Sequence, residues 1–163
     1  MKKTILIGPT GFMGPSFLRY APEIIGVGRS PLPNFLENQF VQIKDLNFSP
    51  LDEVDFENVI FLIGNSEHKI LNTDSSLALE KNVMPIKKFL TYLEKSDKKI
   101  KKIINFTTML LYDTKKMKLP CDESQPMNPF INNYVMSKYI SELITEQHRK
   151  NFQIIDIRMS NVY

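Results

Sequence analysis

Three glycines at intervals of three, set directly after an apolar strand, constrain this chain more than any other feature in it. Residues 4–8, Thr-Ile-Leu-Ile-Gly, read as a short buried strand running straight into Gly8-Pro9-Thr10-Gly11-Phe12-Met13-Gly14. A helical stretch follows at 15–21, and a second apolar run, Glu23 to Gly28, comes next. In that setting the first glycine permits a tight turn and the second lets backbone approach a pyrophosphate. The third allows the helix to pack closely on the strand. The same trio without its flanks is only a loop. Between strand and helix it makes Gly8, Gly11, Phe12, Met13 and Gly14 candidate dinucleotide-binding positions.

The rest of the chain keeps the alternation going. Short apolar runs at 39–44, 57–64, 101–108 and 153–159 join those at 4–8 and 23–28, and several are rich in Ile and Val, as buried parallel strands are. Helical periodicity is weak near 51–54, strong over 76–95 and strong again over 131–149. Strands alternating with helices imply an α/β fold, a Rossmann-like doubly wound parallel sheet in three layers with right-handed crossovers. Loops are marked by Ser30-Pro31-Leu32-Pro33 and by the stretch from Leu119-Pro120 to Pro129. Pro85 falls inside the 76–95 helix, where a missing N–H and a crowded preceding turn predict a kink. A length of 163 residues suits one domain over 1–163 and is enough for a sizeable core.

Tyr134-Val-Met-Ser-Lys138 puts a phenol and an ammonium four residues apart on a predicted helix, so that both lie on one face. A nearby cation favours the phenolate, and the spacing predicts a tyrosine pKa lowered from about 10. A tyrosine tuned in this way exchanges a proton at a carbinol or carbonyl. Such pairs also occur by chance on helix surfaces, and the glycine turn is what gives this one weight.

With both motifs present, the chain resembles the extended branch of the short-chain dehydrogenase/reductase superfamily, the NAD-dependent epimerase/dehydratase family, in its N-terminal Rossmann portion. The resemblance runs nearly end to end. Asp45-Leu46 follows the third strand, where such proteins hold adenine. Asp55 to Leu62 resembles the fourth strand, and Leu62-Ile63-Gly64 stands where the family has leucine and two alanines beside the cofactor. Asn82-Val83 resembles the asparagine-containing helix, and Asn105-Phe-Thr-Thr108-Met-Leu-Leu-Tyr112 the strand with the catalytic hydroxyl. Ser137-Lys138, Glu142 and Arg158-Met-Ser-Asn161-Val-Tyr163 complete the series. The resemblance implies that Tyr134 is the general acid/base, that Lys138 lowers its pKa and binds the nicotinamide ribose, and that Thr108 bonds the substrate oxygen. The family more often has serine at Thr108; threonine keeps the hydroxyl. Thr107 is the neighbour most easily confused with it, and strand alternation sends the two side chains to opposite faces.

The departures matter too. Asp113 replaces a usual glycine, Ile63 is larger than alanine, and the first helix is about one turn shorter than the family's. Met109 stands where the family's dehydratases carry an acidic residue, which leaves epimerase or reductase. Two functions follow: an NAD(P)-dependent epimerase or reductase of a nucleotide sugar, or a dinucleotide-binding module without turnover. About twenty residues after the first glycine, NAD binders usually place an acidic residue. Here Gly28-Arg29-Ser30 stands at that point, and no Asp or Glu occurs from Ile24 to Leu36. A guanidinium and a hydroxyl suit a 2′-phosphate, so NADP is expected over NAD.

Other classes drop out. A net charge of +3 is too mild for a nucleic-acid partner, and Lys98 to Lys102 reads as a solvated lead-in to a strand. His68 and His148 lack the company a zinc site needs, so no metal is expected. Glu67-His68 reads as plain surface loop rather than a substrate contact, and Asp122-Glu123 as a solvated loop. Cys121, the only cysteine, fits a reducing compartment as an inert loop thiol. No apolar run has membrane-spanning length and a strand starts almost at once, which points to a cytoplasmic protein. Leu77, Leu79, Val83, Ile86, Phe89, Leu90 and Leu93 exceed one sheet-facing stripe, and in the resembling family helices like 76–95 and 131–149 pair between subunits, so a homodimer is expected. That family also continues past a motif like Asn161-Val-Tyr163 into a substrate-binding lobe, so the chain reads as the nucleotide-binding portion of a longer enzyme.

Overall fold

Ile5, Leu6 and Ile7 are wholly excluded from solvent, as a strand must be when it has neighbours at both edges and helices on both faces. They belong to β1 (Lys3–Ile7), the centre of a six-stranded sheet. The computed structural model describes residues 3–31 and 39–160. Leu32 and Pro33 of the expected loop, and Asn161, Val162 and Tyr163 of the final motif, lie outside the described residues.

After β1 come α1 (Gly14–Tyr20), β2 (Ile25–Gly28), β3 (Phe40–Gln42), β4 (Phe56–Phe61), α2 (His68–Leu71), α3 (Ser75–Asn82), α4 (Met84–Lys95), β5 (Lys102–Thr108), α5 (Asn133–His148) and β6 (Ile154–Met159). The strands lie in the order β3-β2-β1-β4-β5-β6, and every pairing is parallel. The chain is thus a doubly wound α/β fold, as the alternation predicts. The order reverses between β1 and β4, and that switch point opens a crevice at the carboxyl ends of both strands.

Alternation along the strands divides the core. Ile5 and Ile7 face α4, where Ile86, Phe89, Leu90 and Leu93 are buried with Phe48, Phe56 and Phe61. Leu6 faces the opposite way and packs with Leu18 of α1 and with Ile24. α1 has only seven residues, and its cover thins out across the sheet. Leu6, Ile60, Ile104 and Ile155 are register partners in one row. Leu6 is 0% exposed, and Ile155, on the outer strand, is 40% exposed.

One expectation is corrected. The helix predicted over 76–95 is not one kinked helix but two, α3 and α4, divided at Val83. Pro85 lies in the first turn of α4, where its missing N–H costs nothing and its fixed φ suits a helix start. Of the seven apolar positions that suggested a dimer, Leu77 and Leu79 are only half-buried. Val83, Ile86, Phe89, Leu90 and Leu93 are all buried; those of α4 from Ile86 onward pack in the main core, while Ala78 of α3, with Leu77 against it, packs in a separate cluster with Leu71, Leu111, Tyr134 and Val135.

Candidate functional site

Each glycine of the opening turn has a different reason to be one. Gly8 has φ +87°, which L side chains rarely adopt, and a Cβ there would come within 2.9 Å of Ile63. At Gly14 a Cβ would meet the Pro9 carbonyl oxygen at 2.0 Å, so only glycine lets α1 start against the turn. A Cβ on Gly11 would meet nothing nearer than the Gly8 carbonyl at 3.7 Å. Gly11 opens onto free space.

That space is a crevice of about 520 Å³ at the switch point, and it brings together Gly11, Phe12, Met13, Leu62, Gly64, Thr108, Tyr134 and Lys138. Asn65, Ser66, His68 and Phe106 also line it. The sequence reading missed Asn65, Ser66 and Phe106 and set His68 aside as loop; a polar cluster just after a strand was the available signal. Gly8 and Gly14 shape the turn, and Asn82 is buried behind the wall. Arg29 and Ser30 are exposed just beyond β2. Asp45 and Leu46 instead line a second cavity of about 580 Å³ with Phe48, Met84, Lys87 and Lys88. Both have left-handed backbone, at φ 51° and 57°, a conformation that costs an ordinary residue roughly 1–2 kcal/mol.

Of the catalytic candidates, Thr108 ends β5, and Tyr134 and Lys138 are held by the first turns of α5. The Asn132 side chain caps this helix by accepting from Val135 N at 2.9 Å. Tyr134 N donates to Asn72 Oδ1 at 3.1 Å, and the Tyr134 ring is 6% exposed. The Thr108 hydroxyl interacts with the phenol, favouring the phenolate, but burial outweighs it and raises the Tyr134 pKa. This reverses the predicted lowering. Leu71, Ala78 and Leu111 from other segments bury Tyr134, and among the described residues no hydrogen bond or ion pair joins its side chain to that of Lys138.

Lys138 is itself desolvated, and burial pulls its pKa down to about 8. Its ammonium lies 2.7 Å from where a Gly64 Cβ would be, with Asn82 Oδ1 3.3 Å from the same point. Among the described residues it has no hydrogen-bond or ion-pair partner. Behind it, Asn65 N donates to Asn82 Oδ1 at 2.6 Å, Asn82 Nδ2 to Ser137 Oγ at 2.9 Å, and Ser137 Oγ to the Tyr134 carbonyl at 2.7 Å. Thr107 is drawn elsewhere: its hydroxyl donates to Glu142 Oε1 at 2.6 Å. Glu142 also accepts from Arg158, whose Nη1 donates to the Tyr112 hydroxyl at 3.0 Å.

A model of the NAD-dependent epimerase/dehydratase family matches residues 4–163. The chain belongs to that family. Among solved structures, it is similar to a UDP-N-acetylglucosamine 4-epimerase from Methanobrevibacter ruminantium M1 (TM-score 0.82, 18% identity, 99% of this chain and 56% of that one). It is also similar to MoeE5 in complex with UDP-glucuronic acid and NAD (TM-score 0.80, 18% identity, 99% and 55%). A third is a monomeric L-threonine 3-dehydrogenase from a metagenome (TM-score 0.78, 15% identity, 96% and 53%). The chain thus spans little more than half the length of these family neighbours. Comparison with curated proteins finds no match. No helix among the described residues is long and apolar enough to cross a membrane.

Proposed function

We propose that this chain is the dinucleotide-binding part of an NAD(P)-dependent epimerase or reductase acting on a nucleotide sugar. One observation carries the reading: Thr108, Tyr134 and Lys138 line one crevice together with the open turn at Gly11. The site suits a nicotinamide dinucleotide. Gly11 leaves room for a pyrophosphate against backbone, and the unpartnered Lys138 ammonium is a ready donor for ribose hydroxyls. A nicotinamide ring, when bound, supplies or accepts the hydride. Tyr134 gives or takes the proton of the reacting sugar oxygen, and Thr108 holds that oxygen within reach. Lys138, charged beside a bound ribose, stabilises the phenolate that burial alone disfavours. Met109 follows Thr108 where a dehydratase would use a carboxylate, which supports epimerase or reductase.

Support for a nucleotide-sugar substrate comes from the UDP-sugar ligands of two neighbours. NADP is favoured over NAD because the exposed Arg29 side chain has no partner among the described residues and no Asp or Glu occurs from Ile24 to Leu36 in the sequence. In a full-length form, Tyr134→Phe should abolish turnover of UDP-sugars and leave cofactor titration nearly unchanged, while Lys138→Met should weaken both. Normal turnover by the phenylalanine variant would end the proposal. Competitive titration should show NADP binding tighter than NAD, with the gap shrinking in Arg29→Ala. A second reading is a dinucleotide-binding module without turnover, which the burial-raised pKa of Tyr134 favours. Assay of a full-length form with UDP-sugars and NAD(P) separates the two: turnover supports the enzyme, and cofactor binding without turnover supports the module.

A further inference from the structure

The His68 imidazole lies flat on the Tyr134 ring, with centroids 4.2 Å apart and planes 25° from parallel. His68 opens α2, a single helical turn inserted between β4 and α3. That turn is fastened to the start of α5 at its other end. Asn133 Nδ2 donates to the carbonyls of Leu71 and Asn72 at 3.3 and 3.2 Å, and Tyr134 N donates to Asn72 Oδ1 at 3.1 Å. Leu71 is fully buried in one cluster with Ala78, Leu111, Val135 and Tyr134 itself. α2 is therefore tied to the residues flanking Tyr134, and its first residue covers the face of the phenol on the crevice side.

We propose that His68 is a positioning residue for Tyr134: its ring, held by the α2–α5 clamp, fixes the plane of the phenol against Thr108 and keeps water off its face. The proposal deepens the acid/base reading of Tyr134 and rests on it. A tyrosine side chain turns about two torsions, and Thr108 interacts only with the hydroxyl end. A flat ring packed on its face removes the freedom to swing. Stacked aromatic pairs favour such geometry through their quadrupoles, and the orientation of an acid/base group decides how much of its reactivity is used.

The test uses this chain with ring-labelled tyrosine, observed by NMR. Tyr134→Phe assigns the Tyr134 signals among the six tyrosines. In the parent protein the Tyr134 ring protons should carry the upfield shift that a ring stacked on their face imposes. His68→Ala should abolish that shift and lower the pH at which the Tyr134 ¹³Cζ signal reports ionisation, because water then reaches the ring. His68→Phe should restore both, since it keeps a flat ring without the nitrogens. Asn72→Ala, which loosens the clamp and leaves the stack chemistry intact, should reduce the ring-current shift. Lys138 lines the crevice with the pair, and Glu67 and Lys69 flank His68 in the chain; they are the same in every variant, so differences between variants read the ring itself. An unchanged Tyr134 signal in His68→Ala overturns the proposal, as does a phenylalanine variant that behaves like alanine. If Tyr134→Phe proves fully active in a full-length enzyme, the acid/base reading fails while the ring-current result stands, so the two failures are told apart.

Discussion

The Lys138 ammonium and the missing side chain of Gly64 share one space. Gly64→Ala would bring a methyl group to 2.7 Å from that nitrogen and force the lysine out of its seat. If Lys138 holds the ribose as proposed, its expulsion should weaken NAD(P) binding by about tenfold, or about 1.4 kcal/mol, with little change in melting temperature, as isothermal titration and a thermal scan would show. The depressed Lys138 pKa has a consequence for stability as well. Its folded value of about 8 lies below the ordinary 10.5. Between those values the unfolded chain binds more protons than the folded one, so stability rises with pH there. Below about pH 8 the cost of burying the charge is fully felt. Its ceiling is about 3 kcal/mol, lowered by whatever water reaches the partly exposed side chain. Lys138→Met should therefore be more stable than the parent at neutral pH, with the advantage fading towards pH 10.5. Urea midpoints measured across that range check it, and a variant destabilised at pH 7 would contradict it.

At the scale of elements, α5 is joined to the sheet by polar contacts as well as by apolar packing. Glu142 accepts from Thr107 of β5 and pairs with Arg158 of β6 at 2.7 Å, and burial leaves its side chain only 10% exposed. Arg158 also lies over the Tyr112 ring at 5.0 Å, and its bonds to Glu142 push its pKa up. Glu142→Gln keeps the shape and removes the charge. It should cost about 1.5–3 kcal/mol, the range for hydrogen bonds to charged groups, read as a lower denaturation midpoint with the far-UV spectrum unchanged. Most elements were legible in the sequence because their signals are local: Ile- and Val-rich runs mark β1, β4 and β5, and 3.6-residue periodicity marks α5. α2 was not, since four residues carry no period. It exists because Leu71 finds a buried place beside Tyr134. The division of α3 from α4 was missed for a similar reason: Pro85 is read as a kink or as a helix start according to what the residues before it do.

Over the whole molecule, helical cover is uneven. The face holding α4 and α5 is filled, while on the α1 face exposure rises along the row from Leu6 to Ile155. Ile155→Lys, on the thin side, should change stability by no more than about 0.5 kcal/mol, as surface substitutions do, read as a urea midpoint. Ile103→Ala, one strand inward and fully buried, should cost about 2–5 kcal/mol by opening a cavity. Equal costs at the two positions would mean that the thin face is covered after all.

The glycine turn, the strand order implied by alternating elements and the pairing of Tyr134 with Lys138 on one helix face are all determined by the sequence itself. They depend on backbone sterics, on periodicity and on residues close together in the chain. Which hydroxyl meets the phenol, how far the Tyr134 and Lys138 pKa values move and which way, and that His68 rather than solvent lies on the Tyr134 ring are decided only by the tertiary structure. Desolvation and stacking depend on what other segments bring to a side chain. Residues 68 and 134 come face to face only once α2 is fastened to α5.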